Sequence, residues 1–213
     1  VIPIFIFTPE QLINNKFKSD NCVQFMIESL EDLDKQLKKK GSRLFYFFGK
    51  PHEVVDKIVK KMDVNAVFVN RDYTPYSKIR DEKIKEVCDK NNIVFESHED
   101  VLLQPVGSIR NGSGEIYKKF TPFFNTAKKI AVKKPIKNTH TNYLAKKNKI
   151  VGEFKGNTNK FYQYNDHLAV HGGRDLGLKI IIGIKKFKKY NDERNTLATP
   201  TTKLSAYIKF GCV

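Results

Sequence analysis

Near the C-terminal end of this sequence, Thr201, Thr202, Lys203 and Ser205 gather hydroxyls and an ammonium around Leu204, and an aromatic, Tyr190, stands eleven residues before Thr201. At a helix start, such a segment offers uncommitted backbone N–H groups, side-chain donors and positive charge together, which is what a phosphate site requires. The plainer alternative is that Thr201 or Thr202 only caps the helix. Because the sequence stops at Val213, most of what this helix would complete is expected to lie outside these residues.

Other chemistry-bearing residue types are scattered. His167 and His171 are four apart, the spacing of two ligands on one helix face, but no third ligand is suitably placed and Gly172-Gly173 disturbs the helix. No metal site is expected. Cys22, Cys88 and Cys212 are three, odd in number and far apart, so neither a disulfide framework nor a zinc site is indicated, and an intracellular, reducing compartment follows. There is no Gly-rich phosphate loop and no G-x-S-x-G elbow. Asp72 and Asp81 are expected to cap or pair, and no residue is assigned a catalytic role.

Charge is unevenly spread. Residues 1–117 hold 18 basic and 18 acidic residues, so the formal net charge of +16 falls entirely on residues 118–213, with 21 basic and 5 acidic residues. A positive field confined to one half suggests a polyanionic partner: nucleic acid, a phosphorylated cofactor or an anionic membrane. A solvated basic face is the alternative, and Lys outnumbering Arg 33 to 6 fits the compositional drift of an AT-rich genome. The apolar run Val1–Phe7 is too short for a membrane span and lacks the basic flank of a signal peptide.

The elements that must position these residues follow from periodicity. Val1–Phe7 reads as a parallel strand covered on both faces. A helix opens near Ser19, Asp20 and Asn21, carries Val23, Met26, Ile27, Leu30, Leu33 and Leu37 as its apolar stripe, and ends at Gly41. Strands at 44–48, 66–69 and 93–95 alternate with helices beginning at Pro51 and Pro75, the first turning Val54, Val55, Ile58, Val59 and Met62 inward, the second Ile79, Ile84, Val87 and Cys88. Strand and helix alternating at this spacing give an α/β fold, a Rossmann-like parallel sheet flanked by helices. Residues 131–165, rich in Lys and without sustained periodicity, read as a long surface connection. From Gly173 to about Tyr190 the pattern is a helix that is apolar nearly all round, so its middle is expected to be buried.

At this point the chain resembles the DNA photolyase and cryptochrome family. Ile4-Phe5-Ile6-Phe7-Thr8-Pro9 is similar to the family's second strand, and Asn70-Arg71-Asp72-Tyr73-Thr74-Pro75-Tyr76-Ser77 with Arg80-Asp81 to its antenna-domain loop and helix. Tyr117 through Asn125 resembles the segment leaving the α/β domain. Gly172-Gly173-Arg174, Phe187 to Tyr190 with Asp192 and Arg194, Thr201 to Ser205 and Lys209-Phe210-Gly211 resemble the opening of the flavin-binding helical domain. The motifs occur in register across about 200 residues.

The resemblance implies an α/β antenna domain over residues 1–125, a basic linker over 126–165 and the first helices of an all-α FAD-binding domain over 166–213. It implies FAD as cofactor, with the aromatic at Tyr190 against the flavin, and Thr201, Thr202, Lys203, Leu204 and Ser205 holding the diphosphate through hydroxyls and backbone amides. Lys203 stands where arginine is usual, which replaces a bidentate contact with a point charge. The family's first strand would precede Val1 and lie at the centre of a 3-2-1-4-5 sheet, leaving strands on either side of it without that neighbour. Tyr76 and Ser77 stand where several photolyases carry an Asn-Glu pair for a folate antenna, so the antenna chromophore is left open.

The activity implied is light-driven repair of pyrimidine dimers in DNA by a lyase whose reduced flavin transfers an electron to a flipped-out lesion. With no Trp in the chain, the family's tryptophan electron path is absent, so this stretch is expected to be a fragment inactive by itself. The alternatives are one half of a split photolyase completed by a second chain, and a non-enzymatic basic DNA-binding or blue-light-receptor remnant.

Overall fold

Three helices begin on a proline, and each time the preceding residue is extended, as proline's fixed φ and its steric demand on its neighbour require. The computed structural model of the chain describes residues 1–100, 102–132 and 134–213. It runs β1 (Ile4–Phe7), α1 (Pro9–Leu12), α2 (Asp20–Lys39), β2 (Phe45–Phe48), α3 (Pro51–Val59), β3 (Ala66–Asn70), α4 (Pro75–Lys90) and β4 (Val94–His98). There follow α5 (Phe120–Ala127), a 3-10 turn at Thr158–Phe161, α6 (Arg174–Ile182), a second 3-10 turn at Ile184–Phe187, α7 (Tyr190–Glu193) and α8 (Ser205–Lys209).

The fold is α/β with parallel pairing, as the periodicity implies. Strand β1 pairs with β2, Ile4 opposite Phe45, and β3 pairs with β4, Ala66 opposite Val94. Parallel neighbours need a crossover, and α2 and α4 supply them. The strands form two ladders of two rather than one sheet. The chain divides into two compact units, one of residues 1–61 with 141–213, the other of residues 62–140.

In the first unit, α2 carries Asp20 in its opening turn and Lys38 and Lys39 in its last, and Gly41 follows at φ 77°, the left-handed residue that ends a helix. Its stripe buries Val23, Ile27, Leu30 and Leu37 against Phe7 and Leu44. Leu33 of the expected stripe is exposed, whereas Gln24 and Phe25, outside it, are buried: α2 is covered on a second face by residues 165–174 and 204–213.

Residues 141–165 are not the surface connection the composition suggests. The Ser42 hydroxyl donates to the Leu144 carbonyl at 2.6 Å, the Phe154 amide donates to the Tyr46 carbonyl at 2.7 Å, and Arg43 forms a two-pronged ion pair with Glu153. Phe161 enters the core, its ring 5.1 Å from that of Phe7. Lysine density concealed this packing, because the anchoring apolar residues are few and irregularly spaced.

In the second unit, α4 starts under a Thr74 cap, whose hydroxyl oxygen accepts from the Ser77 amide at 3.3 Å. It buries Ile84 and Cys88, and burial pushes the Cys88 thiol up. Val87 is half-buried and Ile79 is exposed, so this helix covers its strands only with its second half. Phe68 and Val94 are likewise exposed, which leaves β3 and β4 less covered than their apolar runs imply. Asp72 receives the Tyr73 and Thr74 amides and Asp81 pairs with Arg80, the capping and pairing roles expected of them.

The long helix expected from Gly173 to Tyr190 is three short pieces, broken at Gly183. Within the chain its middle is not buried: in α6 only Gly177 is buried, and Ile181, Ile182 and Ile184 are exposed.

Candidate functional site

Alpha-helix α2 also positions the C-terminal segments. It presents Glu28, Ser29 and Asp32, with Asp32 four residues from Glu28 and three from Ser29, hence a neighbour of both on the helix surface. These accept the amides of three consecutive residues: Gly172 to Glu28 Oε2 at 2.6 Å, Gly173 to Ser29 Oγ at 3.1 Å and Arg174 to Asp32 Oδ2 at 3.0 Å. The approach is close enough to exclude a side chain, since a Cβ on Gly172 would lie 2.1 Å from the Phe25 carbonyl oxygen and 2.8 Å from the Ser29 nitrogen. Gly173 has φ 121°, a conformation suited to glycine. The three amides lead into α6, so α2 satisfies N–H groups that a helix start leaves without intrahelical partners.

Glu28 also accepts from Gln24 Nε2 at 3.0 Å and contacts His171 Nδ1 at 3.0 Å. Burial pushes its carboxyl pKa up, but the hydrogen bonds from Gln24, the Gly172 amide and His171, with the imidazole charge, bring it below the ordinary value. The chain around His167 and His171 is not helical, so the two do not share a helix face. His167 pairs with Asp166, and no metal-binding cluster is present among the described residues.

The C-terminal helix hangs from this joint. Tyr207 Oη donates to the His171 carbonyl at 2.8 Å, Arg174 Nη1 donates to the Cys212 carbonyl at 2.8 Å, and the Phe25 ring lies 5.2 Å from Tyr207 and 5.1 Å from Phe210. Burial first, then the neighbouring Cys212 and Glu28, raise the Tyr207 phenol, which therefore stays a donor. Leu204 packs on the same small cluster of Phe25, Tyr207 and Cys212.

The sequence-indicated phosphate residues fall just before this helix. Thr201 and Thr202 are half-buried and outside any helix or strand, Lys203 is exposed with φ 52°, Leu204 is half-buried and Ser205 is exposed. The helix starts at Ser205 and has five residues, later and shorter than the hydroxyl cluster suggests. Leu204 is its N-cap, and neither Thr201 nor Thr202 caps it; Thr202 Oγ1 instead accepts from the Leu204 amide at 3.4 Å. A one-turn helix contributes little macrodipole, so anion affinity here depends on hydroxyls, Lys203 and local amides. That set fits a diphosphate: three hydroxyls and an ammonium can donate, no carboxylate stands among them, and the segment is tied to α2 through Leu204. Tyr190 begins α7 and is 45% exposed, and no hydrogen bond or ring contact joins it to Thr201–Ser205 among the described residues.

Glu28, Ser29 and Asp32 escaped the sequence reading because only the apolar stripe of α2 drew attention. The available signal was a polar triplet beside that stripe, together with a Gly-Gly pair more than 140 residues away.

A DNA photolyase family model matches residues 1–141. A (6-4) DNA photolyase from Arabidopsis thaliana is 27% identical over 91% of this chain and 38% of its own length. A deoxyribodipyrimidine photo-lyase from Buchnera aphidicola subsp. Baizongia pistaciae is 27% identical over the whole chain and 46% of its own. Among solved structures, an archaeal photolyase from Sulfolobus tokodaii with two FAD molecules superposes with a TM-score of 0.83 at 36% identity, covering all of this chain and 46% of that one. A Synechocystis cryptochrome shares the fold, with a TM-score of 0.84 at 21% identity. The chain thus spans less than half the length of these relatives. With 141 of its 213 residues under the family model and its parallel α/β fold shared with solved photolyases, the chain belongs to the DNA photolyase family.

Proposed function

We propose that this chain is part of a deoxyribodipyrimidine photo-lyase-like flavoprotein acting on DNA. Residues 1–125 are then its antenna-type α/β domain, 126–165 the basic stretch that leaves it and packs back on the first unit from residue 141, and 166–213 the opening of its FAD-binding domain. The observation that carries the reading is the family match over residues 1–141, followed in the same chain by a segment of hydroxyls and one ammonium without a carboxylate, Thr201–Ser205, packed on α2 through Leu204.

In this reading the Thr201, Thr202 and Ser205 hydroxyls and the Ser205 amide would hold the FAD diphosphate, with Lys203 contributing positive charge, while the Leu204 amide, given to Thr202 Oγ1, keeps the segment's shape. Leu204 anchors the segment, and Tyr190 offers an aromatic face to the flavin. Bound FAD supplies the light-excited electron donor that the chemistry of dimer splitting requires. The antenna chromophore is not assigned. DNA contact falls to the basic residues 118–213, whose excess of 16 positive charges suits a polyphosphate.

The 213 residues alone are proposed to be inactive, because without tryptophan they lack the usual electron path to the flavin. Purified chain, oxidised FAD, a thiol reductant and a thymine-dimer oligonucleotide are illuminated together, so that flavin reduction is part of the test, and restored thymines are measured. No restoration above a flavin-only control is expected; repair by this chain alone would overturn the reading. Repair that appears only on adding a second, tryptophan-bearing chain would instead mark a split enzyme.

A further inference from the structure

We propose that Glu28, Ser29 and Asp32 are positioning residues for the flavin-diphosphate segment, acting through a clasp on the chain entering α6. The inference rests on the flavin reading above and names residues outside the segment that the reading uses.

The geometry is specific. Three acceptors on α2 meet three successive amides, at 2.6, 3.1 and 3.0 Å, and Gly172 is pressed so closely on α2 that no side chain fits. Gln36 Nε2 donates to the same Asp32 oxygen at 2.9 Å, and Gln24 braces Glu28 from the preceding turn. Both carboxylates are thus oriented by amide side chains of their own helix. A loosely packed crossing does not need this arrangement.

From the clasp, three hydrogen bonds reach the C-terminal turn: Tyr207 Oη to the His171 carbonyl and Arg174 Nη1 to the Cys212 carbonyl, each at 2.8 Å, and Cys212 Sγ to Ser29 Oγ at 3.4 Å. Gly177 allows α6 and this turn to touch, since a Cβ there would meet Val213 at 2.7 Å and Tyr207 at 3.0 Å. Thr201–Ser205 enter the turn through Leu204, which packs on the same cluster. Opening the clasp therefore releases the donor segment from α2 while leaving every proposed phosphate donor in place.

The experiment compares the 213-residue chain with Ser29→Ala, Asp32→Ala and Asp32→Asn, the last keeping one acceptor oxygen. Amide exchange is read at 172–174 and 205–212, and affinity for FAD and for riboflavin, which lacks the diphosphate, is read by flavin fluorescence. Expected are faster exchange in both segments for Ser29→Ala and Asp32→Ala, and a preference for FAD over riboflavin reduced at least tenfold, with Asp32→Asn close to the unaltered chain. General destabilisation would lower both affinities together and leave their ratio unchanged. The proposal is overturned if 205–212 keep their protection when 172–174 lose theirs, or if the FAD preference survives clasp opening. Should Asp32→Ala fail to fold by circular dichroism, Ser29→Ala, which removes one hydroxyl, decides. If the unaltered chain binds no FAD, Thr201–Ser205 are not a flavin site in these 213 residues and the positioning role is overturned for them, while the exchange data separately decide whether the clasp holds the C-terminal turn.

Discussion

Glu28 is the residue at which sequence-distant parts of the first unit converge, and its ionisation can be followed. Its folded-state pKa lies below the ordinary value, so the unfolded chain takes up the proton first as pH falls. The stabilisation is complete above the ordinary glutamate range and is lost as pH falls through the depressed folded value. The titratable groups facing it are His171 from the segment before α6, Tyr162 after the 3-10 turn and Tyr207 from α8. We expect denaturant midpoints, measured as pH is lowered from neutrality, to fall through the carboxylate range, and Glu28→Gln to flatten part of that fall. An unchanged acid limb in the variant would show that Glu28 does not couple the clasp to pH. The Thr201–Ser205 donors, proposed for the diphosphate, stand out in the sequence because they are adjacent in it. Glu28 does not, because its partners are brought together only by the fold.

At the scale of elements, local chemistry gave most of the order. Prolines at 9, 51 and 75 start helices and Gly41 closes α2, since these residues constrain φ wherever they stand. What periodicity could not give was which faces are covered, because that depends on the tertiary partner. The Ile-rich stretch after Leu178 shows the limit: Gly183 ends α6, Ile180 packs on the Phe25 cluster, and Ile181, Ile182 and Ile184 remain exposed. The β1–β2 pair shows the opposite case, with Phe7, Phe45 and Phe47 nearly inaccessible. Phe7 contacts the rings of Phe5, Tyr46, Phe154 and Phe161. We therefore expect Phe7→Ala to cost about 3–5 kcal/mol in urea or thermal unfolding. Phe68→Ala, at a position 62% exposed and stacked on His98, should stay within about 1 kcal/mol. Equal losses at the two sites would contradict the packing described.

At the scale of the molecule, charge was the legible property and connectivity the hidden one. The basic excess lies in residues 118–213, so binding to duplex DNA should be insensitive to sequence and fall steeply with salt, log K declining by about 0.9 per phosphate neutralised for each tenfold rise in salt. Filter binding or anisotropy across a salt series checks this, and salt-independent affinity would remove DNA from the proposed partners. The division at residues 61/62 and 140/141 was not visible, because lysines mask the anchor points of the returning chain at Leu144, Glu153 and Phe161. That division also sets an order for vectorial synthesis. Residues 62–140 form an uninterrupted stretch that is complete once it leaves the ribosome, whereas the unit begun at Val1 must wait for residues 141–213. Until then α2 carries an uncovered face with Phe25 on it, transient apolar surface of the kind that makes partly folded chains prone to aggregate.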